Sequence, residues 1–123
     1  MNINIKTSNI ELTDVIRDYF NKKAEAFEKL IDKKDESAAL NGILSRLTRH
    51  HQKGDIFKAE MNLHISGKVF HASSEREDLF AAIDLVKDEI LGELRSHKER
   101  KIGLIKRSGG KVKRFIRGIY KGY

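Results

Sequence analysis

The chain contains neither cysteine nor proline. Without cysteine it can form no disulfide and no thiolate metal site, which fits a reducing compartment. Without proline, one common way of ending a helix is missing. Glycine, serine and clusters of charge must therefore separate the elements, and hydrophobic periodicity becomes the main guide to them.

The sequence also lacks the features of an exported or membrane-spanning protein. Its first residues, Met1–Lys6, do not join a basic start to an apolar stretch, as a signal peptide does. No apolar run approaches the roughly 20 residues that cross a bilayer. We therefore expect a cytoplasmic protein. With 123 residues, 39% of them hydrophobic, the chain is long enough for one globular domain with a single core.

The charge is distributed very unevenly. Residues 1–94 carry 14 Lys/Arg and 17 Asp/Glu, a net charge of −3, whereas residues 95–123 carry 11 Lys/Arg and one acid, Glu99, a net charge of +10. Such a concentration of cations favours a polyanionic partner, because each cation that neutralises a phosphate releases a condensed counterion. A merely solubilising basic end is the alternative.

The first half of the chain contains a strand, a helix and a weaker strand. Ile3 and Ile5 alternate with polar residues over residues 2–7, which predicts a half-buried strand. Thr13 is a plausible N-cap, and apolar spacing after it predicts a helix near residues 13–32. Residues 40–49 resemble a strand whose apolar positions do not alternate cleanly.

A β-hairpin is the clearest local feature. Apolar and polar residues alternate strictly from Phe57 to Ile65, Ser66-Gly67 is a turn signal, and residues 68–73 form the returning strand. Phe57, Met61 and Leu63 should face the helices, against Phe20, Phe27, Ile83 and Ile90.

A second, longer helix follows the hairpin. Ser74 and Glu77 have the spacing of a capping box. An apolar stripe then continues to an end near Lys101; it consists of Leu79, Ile83, Val86, Ile90 and Leu94. The order β-α-β-β-β-α predicts an α+β fold in which two helices pack on one face of a small four-stranded sheet.

Glycines divide the chain into a domain and a basic tail. Gly103 and Ser108-Gly109-Gly110 indicate a boundary between residues 1–101 and residues 102–123. Within the tail an apolar stripe and the surrounding cations predict a short amphipathic helix that forms on contact with RNA, an acidic membrane or a protein groove. The stripe consists of Val112, Phe115, Ile116, Ile119 and Tyr120.

No group of residues predicts catalysis or a cofactor. The five histidines do not have the spacing of a zinc motif, and no serine or glycine-rich loop has a catalytic or phosphate-binding context. His64 and His71 are better explained as surface residues on paired strands. Acidic residues on the second helix, such as Asp84, are interpreted as solvated or as complements to the helix N-terminus. We therefore expect no enzyme, no metal, no cofactor and no small-molecule substrate.

The hairpin and the start of the second helix carry a family resemblance. Gly54–Asp84 resembles the ribosome hibernation-promoting factors, also called ribosome-associated inhibitors. The best matches are His71-Ala72-Ser73 and Asp78-Leu79-Phe80-Ala81-Ala82-Ile83-Asp84, and residues 9–13 also match. The resemblance covers residues 1–101. It implies a protein that binds the small ribosomal subunit in the channel for tRNA and mRNA and stops translation by occlusion. Long family members carry a separate C-terminal dimerisation domain; we expect none here, and therefore no ribosome pairing through such a domain.

The resemblance also implies which cations contact ribosomal RNA. Lys23, Lys29, Arg95, Lys98 and Arg100 match basic family positions, whereas Glu89, Gly92 and Ser96 replace family Lys or Arg, so we expect the tail to supply the missing contacts. The full set of expected RNA-binding residues is Lys22, Lys23, Lys29, Arg49, Arg95, Lys98, Arg100, Lys101, Lys106, Arg107, Lys111, Lys113, Arg114, Arg117 and Lys121.

The sequence allows two roles for the aromatic residues of the tail and two alternative functions for the protein. Phe115, Tyr120 and Tyr123 are expected either to stack on unpaired bases or to pack against protein. The first alternative function is a free-standing RNA-binding module, since two helices over a small sheet also resemble double-stranded-RNA modules. The second is a membrane-surface or protein-docking module that uses the helix at residues 111–121.

Overall fold

The structure, a computed structural model, describes residues 1–32, 34–48 and 54–107, with residues 101–107 described as backbone. The order is strand, helix, three strands, helix, as predicted. The elements are β1 (Asn2–Ser8), α1 (Asp14–Glu28), β2 (Ala39–Thr48), β3 (Asp55–Ile65), β4 (Lys68–Arg76) and α2 (Leu79–Arg107).

The four strands form one mixed sheet in the order β1-β2-β3-β4. β1 pairs with β2 in parallel, whereas β2–β3 and β3–β4 are antiparallel. β1 and β4 therefore point the same way, and each is followed by a helix that returns across the same face of the sheet. As a result, α1 and α2 run in the same direction, and their C-terminal ends lie at the same end of the molecule.

The core lies between this sheet face and the two helices. Met61 and Leu63 of β3 are fully buried together with Phe20 and Phe27 of α1 and Ile83 of α2, as expected from the alternation. Phe57 packs at the margin of the same cluster. The predicted α+β architecture and the side of β3 that faces the helices are thus confirmed.

β2 alternates better than its sequence suggests. Leu40, Gly42 and Leu44 are buried against the helices, while Ile43 and Leu47 lie half-buried on the other face. Gly42 takes a core position because the Phe20 ring lies directly over it, where a Cβ atom would clash. The alternation is hard to see in the sequence because a glycine occupies one position on the buried face and large apolar residues occupy two positions on the opposite face.

The hairpin turn has the expected geometry. Ser66 and Gly67 both have positive φ angles, 48° and 77°. This is the type I′ turn, whose twist matches that of the flanking strands. The strand after it continues to Arg76, three residues beyond the predicted end, because Arg76 still pairs with Phe57.

The start of α2 corrects the predicted capping box. Ser74 lies within β4 opposite Ala59 and caps nothing. Instead, the Asp78 carboxylate accepts a hydrogen bond from the Phe80 amide (3.0 Å), and the Asp78 carbonyl accepts the first helical bond from Ala82. Asp78 is therefore the N-cap of α2, four residues after Ser74, and the prediction of Ser74 as the cap is wrong.

The ends of both helices also differ from the predicted ends. α1 begins where predicted, with the Thr13 hydroxyl accepting a bond from the Ile16 amide, but it ends at Glu28 in tighter turn bonds rather than near residue 32. α2 passes Lys101 and Gly103 and reaches Arg107. One glycine inside a long helix costs only about 1 kcal/mol relative to alanine, too little to end it. The division into 1–101 and 102–123 stays a prediction.

Candidate nucleic-acid interface

Exposed cations lie on both helices. Lys22 is exposed on α1, Lys29 is exposed as the C-cap residue directly after it, and Arg95 and Arg100 are exposed on α2. Lys29 lies at the C-terminal end of α1, and both arginines lie in the second half of α2. The two helices run in the same direction on one face of the sheet, so these three cations lie towards the same end of the molecule. Four of the expected RNA-binding side chains are thus accessible to a phosphate.

Lys23 belongs to a cluster that joins the two helices. Its Nζ atom lies 3.2 Å from Asp84 Oδ1 and 5.1 Å from the centre of the Tyr19 ring. The Tyr19 hydroxyl donates a hydrogen bond of 2.7 Å to the same carboxylate oxygen, and the Tyr19 ring meets Phe80 edge-on. Lys23 is half-buried, so much of its charge is compensated within the protein.

The same cluster changes the acidity of Tyr19. The hydrogen bond to Asp84, with added contributions from burial and the nearby negative charge, raises the pKa of Tyr19 to about 12. The protonated phenol is favoured because it donates to a carboxylate, and ionisation would place two negative charges together. Asp84 therefore has a structural role in holding α1 against α2, whereas the sequence interpretation treated it as solvated.

Lys98 does not lie on the surface of α2. Only 9% of Lys98 is exposed, and burial lowers the pKa of its ammonium group. The neighbouring His97 is equally buried and meets the Phe70 ring edge-on, with its Nδ1 atom 3.5 Å from Lys68 Nζ. Because both residues extend the packed side of α2, Lys98 is less suited to contact RNA than Arg95 or Arg100.

The other expected RNA-binding residues lie at or beyond the limits of the described structure. Lys101, Lys106 and Arg107 belong to the last turns of α2, where only the backbone is described. Two sets fall outside the described residues, and their RNA contacts stay predictions: Arg49, and the tail residues Lys111, Lys113, Arg114, Arg117 and Lys121. The predicted amphipathic helix and the aromatic residues of the tail fall outside as well.

The three positions at which the resemblance implies a family Lys or Arg line one groove. Glu89, Gly92 and Ser96 lie along a groove of about 500 Å³ that runs between α2 and β4. Through Asp88 and Glu89 this groove joins a second one, of about 850 Å³, which borders residues 73–76 of β4. We call the two together the β4–α2 groove. Its α2 side carries an excess of acid, with Asp88, Glu89 and Glu93 against the single cation Arg100, while its strand side carries Glu75 together with Lys58 and Arg76.

The histidines in the described part of the chain do not form a metal site. Within it, no group of three or more histidine and carboxylate side chains has the geometry to hold an ion. His71 Nδ1 instead lies 2.7 Å from Asn62 Oδ1 on the paired strand. Over the same residues, no helix is long and apolar enough to cross a membrane.

Two of these features were missed by the sequence interpretation although signals for them exist. His97 and Lys98 follow Leu94 by three and four positions, which continues the apolar stripe of α2 into the core. Tyr19 and Lys23 lie one helical turn apart, as do Phe80 and Asp84, so each pair shares a helix face. That the two faces meet depends on the tertiary fold and cannot be deduced from spacing alone.

Comparison with known proteins agrees with this fold. Residues 3–102 match the family described as Sigma 54 modulation protein / S30EA ribosomal protein. The ribosome hibernation promoting factor of Azotobacter vinelandii is 33% identical over 102 residues, covering 83% of this chain and 87% of the relative. That of Klebsiella oxytoca is 31% identical over 100 residues, covering 81% and 96%.

A solved structure has the same fold. The N-terminal domain of Protein Y from Thermus thermophilus superposes with a TM-score of 0.63 at 28% identity, covering 79% of this chain and 99% of that domain. The resemblance to hibernation-promoting factors, first seen in Gly54–Asp84, is thus confirmed over most of the chain. The chain belongs to the Sigma 54 modulation protein / S30EA ribosomal protein family.

Proposed function

We propose that this protein is a non-enzymatic translation inhibitor that binds the small ribosomal subunit in the channel for tRNA and mRNA and holds ribosomes inactive. The observation that carries the proposal is the family match over residues 3–102, with relatives named ribosome hibernation promoting factor. Association with ribosomes implies a cytoplasmic location.

The architecture suits inhibition by occlusion. A single core spanning the sheet and both helices makes the described domain a compact body, and blocking a channel requires shape and affinity rather than chemistry. Affinity for RNA comes largely from cations that reach phosphates. Lys22, Lys29, Arg95 and Arg100 present such cations on the described surface.

The tail supplies the larger share of the electrostatic attraction. Residues 102–123 contain seven Lys/Arg and no acid, whereas the exposed side of α2 carries Glu89 and Glu93. Lys23 is paired with Asp84 and Lys98 is buried, so these two contribute less than their family positions imply. The helices then orient the protein while the tail anchors it.

Co-sedimentation separates this function from its alternatives. The full chain should sediment with small subunits, compete with bound tRNA and mRNA, and inhibit translation in a cell-free system. Binding to free double-stranded RNA without preference for the subunit would instead favour a general RNA-binding module. Binding to anionic vesicles with no binding to subunits would favour a membrane-surface module, and either result would contradict the proposal.

A further inference from the structure

The β4–α2 groove combines an open strand edge with an acidic helix flank. β4 is the last strand of the sheet, and no strand within the described residues pairs with its outer edge. An unpaired edge offers backbone donors and acceptors to an extended segment. Leu85, which is 40% exposed, adds an apolar contact beside it.

Glu89 and Glu93 make the flank electrostatically unfavourable as it stands. They are exposed, one turn apart, and carry the same charge, which destabilises a helix slightly. Among the ion pairs of the described side chains, none includes either of them, whereas the adjacent Asp88 pairs with Lys87 at 2.6 Å. Lys58, Arg76 and Arg100 also line the groove, but no ion pair among the described side chains joins them to Glu89 or Glu93, so a cationic segment beside the two glutamates would remove this repulsion.

The chain itself contains a segment of the right charge and length. Residues 108–123 include five Lys/Arg and no acid. Glu93 lies fourteen residues before Arg107, or about 21 Å back along α2 at 1.5 Å per residue. About seven extended residues cover that distance, which brings Arg114 to Glu93 and Arg117 within reach of Glu89. A helix starting at residue 111 rises too slowly to reach as far.

We propose that residues 111–121 dock in the β4–α2 groove of the same chain as an extended segment, with Arg114 beside Glu93 and Arg117 beside Glu89. Because the tail is covalently attached, its effective concentration at the groove is high, on the order of millimolar for a short linker. The groove therefore competes with RNA for the tail. This competition rests on the proposed function, whereas the docking itself does not.

Paramagnetic relaxation enhancement tests the docking in the full chain. Since the chain has no cysteine, Gly122→Cys provides a single site for a nitroxide label. We expect amide signals of β4 and of residues 85–93 to broaden, while those of β1, at the opposite edge of the sheet, stay sharp. Uniform broadening, none at all, or broadening only between a labelled and an unlabelled chain in a mixture would overturn the proposal.

A pair of matched variants tests the role of charge. Glu89→Gln with Glu93→Gln removes two charges from the groove, and we expect the selective broadening to be lost at unchanged fold. Asp18→Asn with Glu25→Gln removes two exposed charges from α1 and should leave the broadening as it is. Equal broadening in both variants would overturn the assignment of Glu89 and Glu93 as the docking partners.

Binding to small subunits tests the competition separately. When the tail docks in the groove, the apparent affinity for subunits equals the intrinsic affinity multiplied by the undocked fraction. The groove variant (Glu89→Gln with Glu93→Gln) should therefore bind several-fold more tightly than the α1 variant (Asp18→Asn with Glu25→Gln), which has the same net charge. If the groove variant loses the broadening but both variants bind alike, the docking stands and the tail's part in RNA binding is contradicted. If neither variant binds subunits, the proposed function fails independently of the docking.

Discussion

At the scale of single residues, Asp84 connects the two helices through its carboxylate. It accepts a hydrogen bond from Tyr19 and pairs with Lys23, both on α1. Such a cross-helix contact fixes the relative position of elements that carry the candidate RNA-binding cations. It also ties the ionisation of Tyr19 to the integrity of the α1–α2 contact.

Asp84→Asn should lower the pKa of Tyr19 from about 12 towards its ordinary value of 10.0. The amide oxygen can still accept the hydrogen bond, but it carries no negative charge to disfavour the ionised phenol. In the wild type, the raised pKa contributes stability that is fully present below pH 10 and is lost as the pH rises towards 12. Ultraviolet titration of tyrosinate, together with unfolding at each pH, measures both effects. An unchanged Tyr19 titration in the variant would show that Asp84 is not the cause.

Leu63→Ala should lower the free energy of unfolding by about 2–5 kcal/mol, as for other fully buried leucines. Leu63 has no exposed surface and lies at the centre of the core. Val69→Ala on the neighbouring strand is the control, because Val69 is 56% exposed and should cost far less. Denaturant unfolding that gave Leu63→Ala a cost below about 0.5 kcal/mol would contradict the register of β3.

At the scale of elements, the N-terminus of α2 has two candidate caps: Ser74, which the sequence motif predicts, and Asp78, which the structure shows. Asp78→Ala should destabilise the protein by about 1 kcal/mol, because it removes the side chain that accepts from the Phe80 amide. Ser74→Ala should cost less, since Ser74 caps no helix. A larger loss of unfolding free energy in Ser74→Ala than in Asp78→Ala would restore the predicted capping box.

The elements were predictable where the signal was local. The hairpin follows from strict alternation around Ser66-Gly67, and α2 follows from its apolar stripe. The capping box failed because pairing of Arg76 with Phe57 extends β4 through Ser74, and strand pairing is a long-range interaction. The parallel pairing of β1 with β2 is equally non-local.

The candidate site was predictable only in part for the same reason. Periodicity explains why Arg95 and Arg100 are exposed, and the same periodicity, carried one turn further, would have placed Lys98 in the core. The partnership of Lys23 with Asp84 joins two helices that lie far apart in sequence. Because side-chain pairing across elements depends on the assembled fold, counting cations could not distinguish the paired Lys23 and the buried Lys98 from the exposed cations.

At the scale of the whole molecule, the chain separates its folded core from its net positive charge, because residues 1–101 carry 18 Lys/Arg and 18 Asp/Glu and residues 102–123 carry seven Lys/Arg and no acid. Among residues 1–32, 34–48 and 54–100, whose side chains are described, every buried one lies at or before Lys98, whereas seven of the Lys/Arg lie beyond residue 101. A truncation after Lys101 should therefore keep cooperative unfolding, measured by denaturant titration followed by circular dichroism. A broad, non-cooperative transition would show that residues 102–123 belong to the core.

The central claim, that cations of this protein and above all its tail anchor it on ribosomal RNA, is tested most directly by a salt titration of small-subunit binding. If about five of the seven tail cations reach phosphates, they should contribute a slope of roughly −4 to −5 in log affinity against log salt, at about −0.7 to −0.9 per phosphate. The truncation after Lys101 should lose most of that slope, and charge reversal at Arg95 should change it by about one contact. Equal slopes for the full chain and the truncation would contradict the account and assign RNA binding to the folded domain alone.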